Sequence, residues 1–143
     1  MAPLRGQVHR LRQASLAILI LLIAQFGLGM GVNLYVTLPT AGHPGHGSFF
    51  SNGLLLALHA TLGLFLLLSA IFVLVRAIRA RNAAVMVTSV AGLVAILGAV
   101  FFGSMFIDKL TDGYSLGMAL AFAAALACYA VGLYAASTRR GSS

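Results

Sequence analysis

Four long apolar runs constrain the fold more than any other feature of the chain. They cover residues 14–36, 53–75, 83–107 and 114–136. Each run reaches the roughly 20 residues that a helix needs to cross about 30 Å of hydrocarbon, and none alternates like a membrane β-strand. Because the connections between the runs are short, consecutive helices must be antiparallel neighbours. The sequence therefore predicts an all-α integral membrane protein with an up-down-up-down four-helix bundle.

The connections leave no room for a second folded unit. Residues 37–52 and 108–113 are the predicted outer loops, and we expect residues 1–143 to form a single membrane domain. The first run exceeds the roughly 7–15 apolar residues of a signal peptide, so we expect it to be retained as a helix. Hydrophobic residues make up 61% of the chain and charged residues 8%, whereas soluble domains carry about a quarter. This composition excludes an ordinary soluble enzyme.

The basic residues are distributed unevenly between the two sides of the predicted membrane. Of the nine Lys and Arg residues, eight precede the first run, connect the second to the third, or follow the fourth. Only Lys109 lies in an outer loop, between Asp108 and Asp112. The positive-inside rule then predicts a multi-pass protein of the bacterial cytoplasmic (inner) membrane with both termini cytoplasmic. Topology explains the net charge of +7 without a nucleic-acid partner, and anionic membrane lipid is the expected partner of the basic ends.

Glycine pairs and tyrosines suggest how the helices pack. Gly27 with Gly31, and Gly113 with Gly117, have the small-xxx-small spacing that is typical of close helix contacts in membranes. Tyr129 and Tyr134 fall in the inner half of the fourth run. Tyr35, Tyr114, Phe49 and Phe50 fall near the outer boundary, and an interfacial aromatic belt explains most of these six residues.

His59 is the most informative polar position, because polar groups inside a bilayer are costly and need a reason. Its imidazole is predicted either to bond Asn33 or a carbonyl and hold two helices together, or to ligate haem iron through a neutral ring nitrogen. Met118 lies at a similar depth in the fourth run and is a candidate second ligand for a b-type haem, with simple packing as its alternative role. Gln25, near the middle of the first run, and Asn33 are predicted structural polar residues.

A second candidate site lies in the first outer loop, where His43 and His46 flank a Pro-Gly turn. Two imidazoles on a tight turn can bind copper or zinc, but a zinc site needs three or four ligands. Asp108 and Asp112 are candidates for the remaining oxygen ligands if the two loops meet. The alternative is a solvated polar turn without metal.

The sequence leaves an enzymatic activity open and favours a protein without one. No nucleophile–base constellation appears, and Cys128 is the only cysteine, which excludes dithiol chemistry. No span carries a charged residue at its centre, which argues against ion-coupled transport.

Two stretches of the first helical pair resemble one half of a haem A synthase, a family built from two four-helix halves. They read Gln25-x-x-Leu28-Gly29-x-x-Val32, followed by Pro39, and Leu58-His59-Ala60-x-Leu62-Gly63. The resemblance implies a haem-ligating histidine at His59. An internal repeat would align His59 with Ala121, which cannot ligate, so the family's paired histidines are absent and its oxidase chemistry is not carried over. The stretch from Asn33 to His43-Pro44 also resembles small actinobacterial four-helix membrane proteins of unassigned function.

Three functions follow as expectations. The first is a small accessory or assembly subunit of a larger bacterial membrane complex, such as a respiratory one, in contact with other membrane subunits or with a second copy of the chain. The second is a b-type haem-binding or quinone-linked electron-transfer bundle that uses His59. The third is outward-facing copper or zinc binding through His43 and His46. Small size and glycine-rich helix faces favour the first.

Overall fold

The described residues form four helices, each long and apolar enough to span a membrane. The computed structural model describes residues 2–36, 49–109 and 111–138, in which α1 is Ala2–Tyr35, α2 is Phe49–Arg79, α3 is Ala83–Lys109 and α4 is Asp112–Thr138. Each helix contains a segment long and apolar enough to cross a membrane: His9–Tyr35, Gly53–Arg79, Ala83–Lys109 and Asp112–Ser137. The predicted all-α, multi-pass membrane architecture is confirmed.

The helices extend beyond the predicted spans. α1 begins at Ala2 instead of residue 14, and the first turn of α2 lies within the predicted loop 37–52. Asp108 and Lys109 end α3, and Asp112 begins α4. The apolar run marks only the part of a helix that contacts hydrocarbon, while its backbone hydrogen bonds continue into the polar interface. Asp112 also favours a helix start there, because a carboxylate stabilises the positive end of the helix dipole.

The helices are arranged as a closed ring in chain order. α1 packs against α2 and α4, and α3 packs against the same two helices. Within the described residues no contact joins α1 to α3 or α2 to α4, so these pairs lie on the diagonals of the bundle. Neighbours run antiparallel: Gly31 and Gln25 of α1 meet Leu55 and Gly63 of α2, respectively. This is the predicted up-down-up-down arrangement.

The α3–α4 contact is the most extensive of the four, and glycines on both helices create it. A Cβ at Gly92 would lie 2.6 Å from the Tyr129 ring, and one at Gly132 would lie 2.6 Å from Thr88 Oγ1. Gly117 likewise lies against the Phe102 ring. Side chains of each helix thus occupy the space left by glycines of the other. Small residues allow this close approach of helices in membranes.

The predicted roles of three residues need correction. Gly27 and Gly113 have nothing within 4 Å of a Cβ built on them, so only Gly31 and Gly117 of the two predicted pairs make close contacts. Tyr129 is 2% exposed and packs in the bundle interior, so the interfacial belt is wrong for it. Residue spacing does not reveal which side of a helix faces its neighbours. The orientation of each helix determined whether these three residues face the bundle interior.

Fully buried residues are confined to one half of the bundle. We call residues 9–25, 66–96 and 125–138 the basic half, since α1 begins and α2 ends there with arginines. The acidic half comprises residues 26–36, 53–65, 97–109 and 111–124, and it carries Asp108 and Asp112 at its end. In the basic half, buried side chains recur every three or four residues on all four helices; on α1 they are Leu11, Ser15, Ile18, Leu22 and Gln25. No described residue of the acidic half is fully buried.

Candidate functional site

A polar contact between α1 and α2 lies where the two halves of the bundle meet. Gln25 Nε2 donates a hydrogen bond to the backbone carbonyl of His59 over 3.0 Å. The same nitrogen lies 3.3 Å from His59 Nε2. Gln25 is 8% exposed and is the last fully buried residue of α1 toward the acidic half, while His59 is half-buried. One amide therefore binds both the ring and the backbone of the facing histidine.

Two glycines make room for this contact. A Cβ at Gly63 would lie 3.1 Å from Gln25 Nε2, and a Cβ at Gly29 would lie 3.1 Å from His59 Cε1. Gly29 follows Gln25 by four residues and Gly63 follows His59 by four, so in antiparallel helices each polar side chain faces the other helix's glycine. We call these four residues, Gln25, Gly29, His59 and Gly63, the polar clamp.

The clamp leaves two buried polar atoms without a partner in the described part of the chain, Gln25 Oε1 and His59 Nδ1. The Gln25 amide nitrogen must face the His59 carbonyl, because two oxygens there would repel. An amide NH₂ only donates, so His59 Nε2 accepts and the proton of the neutral ring lies on Nδ1. The clamp therefore retains one unused acceptor, Gln25 Oε1, and one unused donor, His59 Nδ1–H.

Of the sequence-predicted polar residues, the structure brings Gln25 and His59 together. Asn33, the predicted partner of the imidazole, is exposed instead, and Gln25 takes that role. Met118 Sδ lies 3.1 Å from a Cβ built on Gly103 of α3. α2 and α4 are diagonal, so His59 and Met118 belong to helices that do not pack together.

The side-chain arrangement around His59 does not leave a ring nitrogen open to haem iron. Gln25 covers Nε2, and Nδ1 is itself buried. Haem ligation would require Gln25 to turn away. It stays a prediction, as does the role of Met118 as second ligand.

The predicted metal site at His43 and His46 lies outside the described residues and stays a prediction. Among the residues that are described, no three His, Cys, Asp or Glu side chains come together as metal ligands would. Asp108 and Asp112 lie at the end of the acidic half, the end at which the loop carrying the two histidines leaves α1.

Sequence reasoning did not place either glycine of the clamp against Gln25 or His59. Their signal was present as a Q-x-x-x-G pattern on α1 and an H-x-x-x-G pattern on α2. Each pattern alone is a common arrangement of a polar residue and a small one. Only the antiparallel register of the two helices brings the patterns into mutual contact.

The fold and this site define a multi-pass membrane protein whose central polar residues join two of its helices. The chain matches no protein-family model, none of the curated proteins and no solved structure.

Proposed function

We propose that the protein is a small accessory or assembly subunit of a larger bacterial membrane complex. The observation that carries this proposal is the one-sided core: no described residue of the acidic half is fully buried. The more buried side chains there, such as Val32 and Phe106, are still only half-buried. Interiors of folded proteins are close-packed, so a membrane segment of a partner is the natural complement to this half.

The clamp is consistent with a supporting role for the chain. Gln25 and His59 bond to each other across α1 and α2 and so stabilise the hairpin at the boundary of the packed core. A polar contact of this kind fixes the relative register of two membrane helices. The α1–α2 contact thereby fixes the position of the acidic half, to which a partner would bind.

Site-specific photo-crosslinking in native membranes tests the proposal. A photoreactive residue at Val32 or Phe106, both half-buried, is expected to give one discrete adduct with a larger membrane protein. Leu34 and Leu116 are exposed at the same end, and Val131 is exposed in the basic half; they serve as matched controls and should label mainly lipid. Adducts of equal yield at all five positions, or an adduct that contains only a second copy of the chain, would contradict a specific heteromeric partner.

We also propose an orientation in the bacterial cytoplasmic membrane, with both termini in the cytoplasm. The support is the distribution of charge: Arg10, Arg12, Arg76, Arg79 and Arg81 all lie at the basic end of the described bundle. The two acidic residues and Lys109 lie at the other end. Arginine-rich ends remain cytoplasmic during membrane insertion.

A second candidate function is binding of a lipophilic redox cofactor at the clamp. It is favoured by the two unpartnered buried atoms, since leaving such groups without a partner costs free energy. A quinol hydroxyl both accepts and donates, so it has the chemistry to pair with Gln25 Oε1 or His59 Nδ1–H. Both atoms are buried, so the two helices must move apart to admit it. A haem would instead need a free ring nitrogen, whereas Gln25 contacts Nε2 and Nδ1 is buried.

Spectroscopy and extraction separate these cofactors. Protein purified in mild detergent should show no Soret band if the clamp is only structural, and organic extraction should yield no stoichiometric quinone. A Soret band lost in His59→Ala but kept in His43→Ala would establish the haem alternative. Stoichiometric quinone that is lost in both Gln25→Leu and His59→Leu, and retained in Gly27→Ala, would establish the quinone alternative.

A further inference from the structure

We propose that the outer surface between α2 and α3 binds one anionic phospholipid, with an acyl chain in an apolar groove and the phosphate on Arg79 and Arg81. The groove has a volume of about 390 Å³ and is lined by Leu74, Ile78, Met86, Val87, Val90 and Ala91. All six side chains are apolar. Ile78 is 52% exposed and Val87 is 63% exposed, so the groove opens outward from the bundle.

The basic residues lie where a lipid headgroup would be. Arg79 directly follows Ile78 of the groove and ends both α2 and its candidate span. Arg81 lies in the turn that joins the two helices lining the groove. Both arginines are exposed, and a phosphate accepts several hydrogen bonds from guanidinium groups. A lipid whose chain follows the groove thus places its phosphate at the depth of these two residues.

No Asp or Glu side chain lies near either arginine. The only acidic residues are Asp108 and Asp112, and both lie at the far end of the bundle. Arg76, the third arginine of the region, stacks on the Phe72 ring at 4.4 Å from its centroid and is engaged within α2. Two unneutralised cations beside an apolar groove are complementary to an anionic lipid.

The backbone at Arg81 adds an independent argument. Arg81 has φ 50° and occupies the left-handed position that follows a helix end, where glycine is strongly preferred. The surrounding hydrogen bonds, Arg81 N to Ile78 O and Asn82 N to Ala77 O, are those of a Schellman motif. A non-glycine residue there carries a conformational cost, which is consistent with a role for the arginine side chain.

The shape of the groove favours an acyl chain over a protein segment. On α2 its wall runs from Leu74 to Ile78, about 6 Å or one helical turn. A packed helix needs a longer contact surface than one turn. A flexible hydrocarbon chain can occupy a short groove and continue past it along the bundle.

Native mass spectrometry of the delipidated full-length protein in mild detergent tests the proposal, with phosphatidylglycerol and phosphatidylcholine as probes. We expect phosphatidylglycerol to be retained preferentially. Arg79→Gln with Arg81→Gln should weaken its binding about 30-fold, since one arginine near a membrane surface contributes about fivefold. Arg5→Gln with Arg10→Gln removes the same charge elsewhere and should leave binding unchanged.

A second pair of variants tests the groove separately from its charge. Ala91→Phe fills the groove from its exposed side and should abolish tight lipid retention while both arginines remain. Ala119→Phe, an equal change on the exposed face of α4, should not. Equal retention of the two lipids, or equal weakening by the two double arginine variants, would overturn the proposal. So would unchanged retention in Ala91→Phe.

Discussion

Gln25 of α1 donates one hydrogen bond to the backbone carbonyl of His59 on α2, over 3.0 Å, and lies against the imidazole ring of the same residue. A single amide thus contacts both the side chain and the backbone of His59. Because the two helices are antiparallel, a slip of one turn would separate the pair. The contact therefore specifies register as well as affinity between the helices.

We predict that Gln25 and His59 are energetically coupled. In a double-mutant cycle with Gln25→Leu and His59→Leu, the coupling free energy should be about 0.6 kcal/mol and at most about 1.7, the range for hydrogen bonds between membrane helices. The measurement is reversible unfolding in mixed micelles followed by circular dichroism. The same cycle between Gln25 and Asn33 should give no coupling. Because His59→Leu keeps the backbone carbonyl, additive effects would contradict the contact between the Gln25 amide and the His59 ring.

Adding a methyl group at Gly63 should weaken the clamp. The new Cβ would lie 3.1 Å from Gln25 Nε2, so the amide must shift by a few tenths of an ångström and its hydrogen bonds with it. We expect Gly63→Ala to lower the free energy of unfolding by about 1 kcal/mol, at the lower end of overpacking costs. Gly27→Ala is the control, since nothing lies within 4 Å of its Cβ, and it should be neutral or slightly stabilising.

Gly92→Ala should be more damaging than any clamp variant. Its Cβ would lie 2.6 Å from Cε2 of Tyr129, and the rigid ring is itself buried between helices. Overpacking of this kind typically costs about 1–3 kcal/mol, and we expect the upper part of that range in the same unfolding assay. Combining Gly92→Ala with Tyr129→Leu should recover part of the loss; a full additive penalty would show that the ring is not the obstacle.

Tyr129→Phe should preserve or raise stability. The hydroxyl is buried and has no hydrogen-bond partner within the described residues, so its desolvation is uncompensated. Removing it should increase the free energy of unfolding by up to about 1 kcal/mol. A decrease of more than about 1 kcal/mol in the free energy of unfolding on Tyr129→Phe would reveal a hydrogen-bond partner for the hydroxyl.

Arg81→Gly should raise the stability of the protein and weaken its binding of phosphatidylglycerol. Glycine adopts φ 50° without the Cβ clash that arginine has there, so we expect a gain of about 0.5–1 kcal/mol in unfolding free energy. Asn82→Ala should have the opposite effect and cost about 1 kcal/mol, because Asn82 Oδ1 accepts the hydrogen bond of Val85 N at the start of α3. A variant at Arg81 that is both more stable and weaker in binding phosphatidylglycerol would show that the arginine is retained for its side chain.

The proposed orientation predicts which residues are accessible in sealed cells. With Cys128→Ser as background, a cysteine at Asp112 should react with a membrane-impermeant maleimide added outside, and one at Arg81 should react only after permeabilisation. Both positions are exposed, so access depends on the side of the membrane. Labelling of Arg81→Cys in intact cells would show that the protein has the opposite orientation.

Much of the architecture could be predicted from the sequence, because hydrocarbon imposes a length and composition on any helix that crosses it. The four apolar runs predicted the four spans, and short connections predicted antiparallel neighbours. The helix ends differed because a helix continues into the interface, where composition no longer marks it. Gly27 and Gly113 were misjudged because small residues are common on every side of a membrane helix.

The candidate site was only half predictable. Gln25 and His59 stood out because polar side chains inside a bilayer are costly, but the sequence suggested Asn33 or a carbonyl, and not Gln25, as the partner of the imidazole. The pairing depends on which residues face each other across α1 and α2, and apolar residues surround both helices within their spans. No amphipathic pattern therefore distinguishes the interior face from the lipid face.

The sequence by itself determined that this chain crosses a membrane four times, since transfer of long apolar segments out of water depends on composition alone. The tertiary structure decided that Gln25 binds His59, that side chains of α3 and α4 pack against glycines of the facing helix, and that fully buried residues are confined to the basic half. These features depend on helix rotation and register. In a membrane those are set by steric fit and a few hydrogen bonds, which the order of apolar residues does not encode.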